Sequence, residues 1–165
     1  MDAIAAEIPR LRRYARALVG GEGEADDLVQ DCLERAIARI ELWRDGDSPR
    51  RWLFTILHNI HVDRRRGAAR RPEVIELDDA IADPASGTSD SITACEVSAA
   101  LQKLPEEQRE AVLLVGLEGL SYAETAEVLG VPIGTVMSRL SRGRERLRKL
   151  LERNGSETPS LRRVK

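Results

Sequence analysis

Two clusters of guanidinium groups are the side chains in this sequence best suited to chemistry with a partner. Arg64, Arg65, Arg66, Arg70 and Arg71 form the first, and Arg139, Arg142, Arg144, Arg146 and Arg148 with Lys149 form the second. Cations at this density neutralise phosphates, as binding a nucleic acid requires. The formal net charge of −2 argues against such a partner only until charge is followed along the chain. Residues 1–71 carry 14 basic and 12 acidic side chains, residues 72–96 carry 0 and 7, and residues 97–165 carry 12 and 9. Two basic blocks are therefore separated by an acidic segment.

Other chemistries find little support. His58 and His61 stand three apart on a helix, a spacing that could ligate a metal, but no third ligand is evident in the sequence. They read as polar or DNA-facing histidines, so no metal and no cofactor is expected. There is no Walker loop, and Ser, His and Asp fall into no catalytic arrangement, so no catalytic residue and no enzymatic activity are expected. Cys32 and Cys95 have neither zinc-site spacing nor the density of a disulfide scaffold, which suits a reduced chain. No apolar run approaches the roughly 18 residues of a membrane span, and Asp2 and Glu7 spoil a secretory signal. A cytoplasmic protein without membrane insertion is the expectation.

Aromatics make up only 3% of the chain, so its core must come from Leu, Ile, Val and Ala, and an all-α fold follows. Ile4, Ile8, Leu11, Ala15 and Leu18 mark a first amphipathic helix, stopped at Gly20 and Gly21. Leu28, Val29, Cys32, Leu33, Ala36, Ile37 and Ile40 form the apolar stripe of a second, with Asp26 and Asp27 placed at its positive end. Ser48 and Pro49 cap and open a third, whose stripe is Trp52, Leu53, Ile56, Leu57 and Ile60. From Pro72 the pattern dissolves into Pro, Gly, Ser, Thr and acids, the composition of a flexible linker. Beyond it Val97, Leu101 and Leu104 begin a helix, and Pro105 opens another that carries Ala111, Val112, Leu114 and Val115 and ends at Gly119. The organisation expected is two small helical domains, residues 1–71 and 92–152, joined by an acidic linker over 72–91 and followed by a basic tail over 153–165.

The most specific local pattern lies between Ser121 and Arg144. A short amphipathic helix ends at Gly130, turns through Val131 and restarts at Pro132, which is the arrangement of a helix-turn-helix. Ile133, Val136, Leu140 and Leu147 are expected to face inward. That leaves Thr135, Met137, Ser138, Arg139, Ser141 and Arg142 near the N-terminal half of the second helix, where base edges are read in a major groove.

Longer stretches carry a family resemblance. Leu104-Pro-Glu-Glu-Gln-Arg-Glu-Ala-Val-Leu-Leu, Gly119-Leu-Ser-Tyr-Ala-Glu-Thr-Ala and Gly134-Thr-Val-Met-Ser-Arg-Leu resemble region four of extracytoplasmic-function sigma factors, and Glu24-Ala-Asp-Asp-Leu-Val-Gln-Asp resembles their region-two docking helix. Trp52-Leu-Phe-Thr-Ile-Leu-His-Asn and Asp63-Arg-Arg-Arg resemble their promoter-melting helix. The resemblance implies a subunit that brings RNA polymerase core to promoters and is held by an anti-sigma factor until a stress or envelope signal. It implies that Asp26, Asp27, Gln30, Asp31 and Glu34 bind the clamp helices of the β′ subunit. The loop Trp43, Arg44, Asp45, Gly46, Asp47 and Ser48, with Asn59, would receive a base flipped from the minus-ten element. Arg64, Arg65 and Arg66 would hold that strand, since extruding a base costs a few kcal/mol of stacking. The second domain would dock on the β flap and place Thr135, Met137, Ser138, Arg139, Ser141, Arg142 and Arg146 at the minus-thirty-five element. Met137 departs from the Arg or Lys that many relatives carry, which leaves Arg139 and Arg142 as base readers or phosphate anchors. Trp52 reads as core.

Two rivals share part of this pattern. A sigma-mimicking regulator that only sequesters an anti-sigma factor would need neither arginine block and would usually carry a receiver domain. A plain helix-turn-helix regulator would explain Pro105 onward and leave the acidic second helix without a purpose.

Overall fold

The computed structural model describes residues 2–44, 46–70 and 89–156, and within them every regular element is helical. Helix α1 (Asp2–Val19) buries Ile4, Leu11, Tyr14, Ala15 and Leu18 and stops at Gly20, whose φ of 78° only glycine adopts cheaply. Helix α2 (Glu22–Ala38) begins earlier than expected. Its first-turn acids are Glu22 and Glu24, so Asp26 and Asp27 lie past the end where the helix dipole acts. Its buried stripe is Ala25, Leu28, Val29, Cys32 and Ala36. The expected stripe is too long, because the helix ends at Ala38 and Ile37 is 52% exposed. Burial pushes the Cys32 thiol up to about 12, against the opposing pull of Arg35. Helix α3 (Pro49–Ala69) starts as the sequence indicates, with the Arg51 N–H donating to Ser48 Oγ at 3.3 Å and Pro49 in the first turn. It buries Leu53, Phe54, Ile56, Leu57 and Ile60, and Phe54 meets Tyr14 edge to face, centroids 5.1 Å apart.

Helix α4 (Ser89–Gln102) begins inside the segment assigned to the linker. The linker acids Glu73, Glu76, Asp78, Asp79 and Asp83 and most of the basic tail lie outside the described residues. Helix α5 (Glu106–Val112) continues into one π-helical turn over Leu113–Leu117, where the Glu118 N–H reaches back to the Leu113 carbonyl at 3.0 Å. Each residue rotates a helix face by about 100°. The widened turn therefore buries Leu113 and Leu114, while Val112 and Val115, expected on the stripe, are only half-buried.

Helix α6 (Tyr122–Leu129) opens with a reciprocal cap: the Glu124 N–H donates to Ser121 Oγ at 3.1 Å and the Ser121 N–H to Glu124 Oε2 at 2.8 Å. It closes at Gly130 in the left-handed region (φ 64°, ψ 37°), and α7 (Ile133–Ser156) follows. This is the expected helix-turn-helix. On α7, Val136 and Leu140 are buried, but Ile133, expected inward, is 46% exposed because it sits in the first turn. A glycine that the sequence does not mark, Gly143, lets α7 cross α5 closely; a Cβ there would lie 2.7 Å from Val112 Cγ2 and 3.2 Å from the Gln108 carbonyl.

Helices α1, α2 and α3 pack as one bundle and α5, α6 and α7 as another, with α4 against both α1 and α7. Leu11, Leu18, Leu53 and Leu57 of the first half and Leu101, Leu104, Leu114 and Leu120 of the second belong to one continuous core. Among the described residues no helix is long and apolar enough to cross a membrane.

Candidate polymerase and nucleic-acid interfaces

Alternation of apolar and acidic positions along α2 turns Asp26, Asp27, Gln30, Asp31 and Glu34 to solvent, and all five are exposed. Gln30 donates to Glu34 at 3.0 Å, and Arg64 of α3 reaches across to Asp31 at 2.6 Å. The proposed polymerase face and the first arginine cluster are thus neighbours.

The loop before α3 is folded by its own tryptophan. Trp43 Nε1–H donates to the Asp47 carbonyl at 3.2 Å, Gly46 takes φ 108°, and the Trp43 ring stacks on Trp52 with centroids 6.4 Å apart and planes 20° from parallel. Trp52 is consequently only half-buried: it rests on the core and presents part of its surface to the loop, where the sequence reading made it core alone. Arg44, Gly46, Asp47 and Asn59 are exposed, Ser48 is committed to capping α3, and Asp45 lies outside the described residues. Arg65 and Arg66 are exposed on the last turns of α3.

On α7, Met137 is 48% exposed, and Ser138, Ser141, Arg142 and Arg146 are exposed, while Thr135 is half-buried. Two members of the expected reading set are engaged within the chain. Ser138 Oγ donates to the Thr135 carbonyl at 3.0 Å, and Arg139 turns back to Glu107 at 3.5 Å, leaving its side chain 21% exposed.

The sequence reading missed the polar groups that hold the two halves together. Arg109 is buried and donates to the carbonyls of Leu101 (2.9 Å), Gln102 (2.9 Å), Leu104 (3.0 Å) and Leu18 (2.7 Å). One guanidinium thus satisfies the orphan carbonyls at the ends of α4 and α1, favoured there by both helix dipoles. Gln102 Nε2 adds a bond to the Ala17 carbonyl at 2.8 Å. Glu118, its side chain fully buried, accepts a two-pronged contact from Arg13 at 3.0 and 3.1 Å and lies 3.8 Å from Arg50. Arg51 pairs with Glu127 at 3.0 Å.

His58 and His61 face this interface as well, so of the two alternatives, polar or DNA-facing, they take the polar one, partnered by α5. His58 Nδ1 lies 2.9 Å from Glu110 Oε1, and His61 Nε2 is hydrogen-bonded to Glu106 Oε1. Burial alone would raise the Glu106 pKa, but the hydrogen bond and charge of His61, with Arg109 and Arg65, outweigh it and hold the carboxyl below its ordinary range. The signal for these contacts was the charged run Glu106 to Glu110 on a helix with a full apolar face, which sequence alone presents as a solvated surface.

A three-helix bundle with an acidic face and an adjacent cationic helix, joined to a helix-turn-helix whose second helix is exposed, is the architecture of a two-part DNA-binding factor. Residues 4–58 match the family model "Sigma2 domain of PhyR" and residues 96–147 match "Sigma-70, region 4". The chain is 42% identical over 160 residues to the ECF RNA polymerase sigma factor EcfG of Rhodopseudomonas palustris, covering 94% of this chain and 87% of that protein. It is 38% identical to the ECF sigma factor SigE of Mycolicibacterium smegmatis, covering 90% of this chain and 60% of that one. Among solved structures, the sigma factor RpoE of Bartonella quintana, in complex with the anti-sigma factor NepR, superposes with a TM-score of 0.74 at 33% identity, covering 90% of this chain and 94% of that one.

The chain belongs to the ECF RNA polymerase sigma factors. It directs RNA polymerase to promoters and, like other sigma factors, is an initiation factor and not an enzyme.

Proposed function

We propose that the acidic face of α2 docks on the β′ clamp helices, that the Trp43 to Ser48 loop with Asn59, Arg64, Arg65 and Arg66 takes the minus-ten strand, and that α7 reads the minus-thirty-five element through Met137, Arg142 and Arg146. The second half also docks on the β flap. The observation that carries this reading is the capped helix-turn-helix, whose second helix keeps Met137, Ser141 and Arg142 exposed. Arg139 joins the reading set once its contact with Glu107 is released.

The closed arrangement cannot serve both elements at once. Sites centred about 25 base pairs apart are separated by roughly 85 Å at about 3.4 Å per pair. A compact chain of this length has a radius of gyration of about 15 Å. The halves must therefore part at the Arg109, Glu118 and histidine contacts when polymerase and promoter engage. RpoE, a solved relative, is held by NepR; an anti-sigma factor of the same kind would hold this chain in the cytoplasm until a stress signal releases it.

The match of the first half to the sigma2 domain of PhyR favours a second reading, a chain that imitates a sigma factor in order to occupy its anti-sigma factor. Run-off transcription with purified core polymerase on a pool of genomic promoters separates the two. Discrete promoter-specific transcripts are expected, and Arg142→Ala should reduce them. Transcription no higher than core alone would contradict the initiation reading and leave the mimic.

A further inference from the structure

The histidines of α3 and the glutamates of α5 meet in an arrangement that neither the DNA-reading surfaces nor the docking face uses. One nitrogen of His61 and one carboxylate oxygen each from Glu106 and Glu110 all lie within 4.8 Å of one another. His61 and Glu110 are buried and Glu106 is half-buried. Two carboxylates from one helix and an imidazole from another, at that spacing, match the nitrogen and oxygen donors that zinc and its first-row neighbours take.

Charge balance favours a cation. Arg109 is the guanidinium bonded to the cluster, but it directs most of its donors to backbone carbonyls and gives Glu106 one bond at 3.2 Å, while Arg65 acts on Glu106 by charge. Glu110 is met by His58 Nδ1 at 2.9 Å. Half-buried Glu106 thus has Arg109 and Arg65 to answer it, whereas among the described residues the buried Glu110 carboxylate is met by an imidazole and no guanidinium, and a buried carboxylate calls for pairing or coordination. A second observation points to the same place. The Tyr14 hydroxyl is buried and has no hydrogen-bond partner; burial first, and then the negative charges of Glu110 and Glu106, push its pKa up. A metal-bound solvent molecule would supply the partner it lacks.

We propose that His61, Glu106 and Glu110 form a binding site for a divalent transition-metal ion of the zinc class, and that the ion clips the two halves of the chain together. The ion replaces the His61–Glu106 hydrogen bond with two coordinate bonds, while His58 positions Glu110 from outside the first ring of ligands. Because α3 lies in one half and α5 in the other, the complete ligand set exists only when they are closed. At an ion concentration of about 100 times Kd, the ratio of closed to open chain should rise about 100-fold.

The test uses the full chain with Zn2+ itself, in a Cys95→Ser background so that the exposed thiol offers no competing ligand. Calorimetric titration should give one ion per chain, and Zn2+ should raise the thermal unfolding midpoint. His61→Ala and, separately, the near-isosteric Glu110→Gln should each weaken Zn2+ binding at least ~10-fold, and His58→Ala should weaken it by ~10-fold as an outer-ring partner does. Circular dichroism of the metal-free variants establishes that each is folded; if His61→Ala is not, Glu110→Gln decides. No stoichiometric binding, or an affinity unchanged in the folded variants, would overturn the proposal. The readout is metal binding and not transcription, so its outcome is separate from the assignment of the DNA-reading residues.

Discussion

Helices α2 and α5 are both short acidic runs on an apolar stripe, yet the molecule uses them in opposite ways. The acids of α2 stand in water at positions 26, 27, 31 and 34. On α5, Glu106 and Glu110 are drawn into the contact between the halves, where each meets a histidine of α3, while Glu107 pairs with Arg139. What separates the two helices is the neighbour supplied by the fold. An acidic face left in solvent costs nothing to keep and is free to meet another protein. An acidic face covered by the chain must have its charge answered at once.

That contrast can be broken most forcefully at Arg109. Replacing it with Ala leaves the carbonyls of Leu18, Leu101, Gln102 and Leu104 without their donor and Glu106 without its guanidinium. A loss of about 3–5 kcal/mol of unfolding free energy is expected in urea titration. A loss below about 1 kcal/mol would mean the buried network does not hold the halves.

Next comes Gly143, where α7 crosses α5. A leucine there collides with Val112 and the Gln108 backbone and should cost about 1–3 kcal/mol. Unchanged stability would show that the crossing has slack.

The acidic face of α2 should answer in the reverse sense. Asp27→Lys with Asp31→Lys changes only exposed positions, so stability should shift by less than about 0.5 kcal/mol while binding to core polymerase weakens. The second variant also removes the partner of Arg64. Core affinity equal to that of the unaltered chain in a pull-down titration would remove α2 from the docking surface.

The same contrast explains what sequence could and could not disclose. The helix-turn-helix was legible because its signals are local: a glycine at 130 that turns the chain, and Val136 and Leu140 at helical spacing; the reciprocal cap at Ser121 and Glu124 is just as local and went unread. The arginines of α3 and α7 were legible as clusters. The closing contact was not, because pairs such as His61 with Glu106 are 45 residues apart and each member alone looks like a solvated polar group. The absent third ligand for the histidines was supplied by a helix from the other half of the chain. Likewise the π turn after Val112 moved burial from Val115 to Leu113, and the periodicity of an α-helix contains no trace of it. Arg139 was placed by spacing on the reading face, and only the packing of α7 on α5 shows it held by Glu107.

The separation of the halves on a promoter tests the central claim most directly. Cys95 is exposed, whereas Cys32 is buried with a thiol pushed up to about 12, so dyes attached to Cys95 and to Glu41→Cys would report energy transfer between the halves without removing Cys32. In the free chain, with a radius of gyration of about 15 Å, the labels should transfer efficiently. Adding core polymerase and promoter DNA should collapse that transfer as the halves move toward sites roughly 85 Å apart. A transcription-competent complex in which transfer is unchanged would contradict the account.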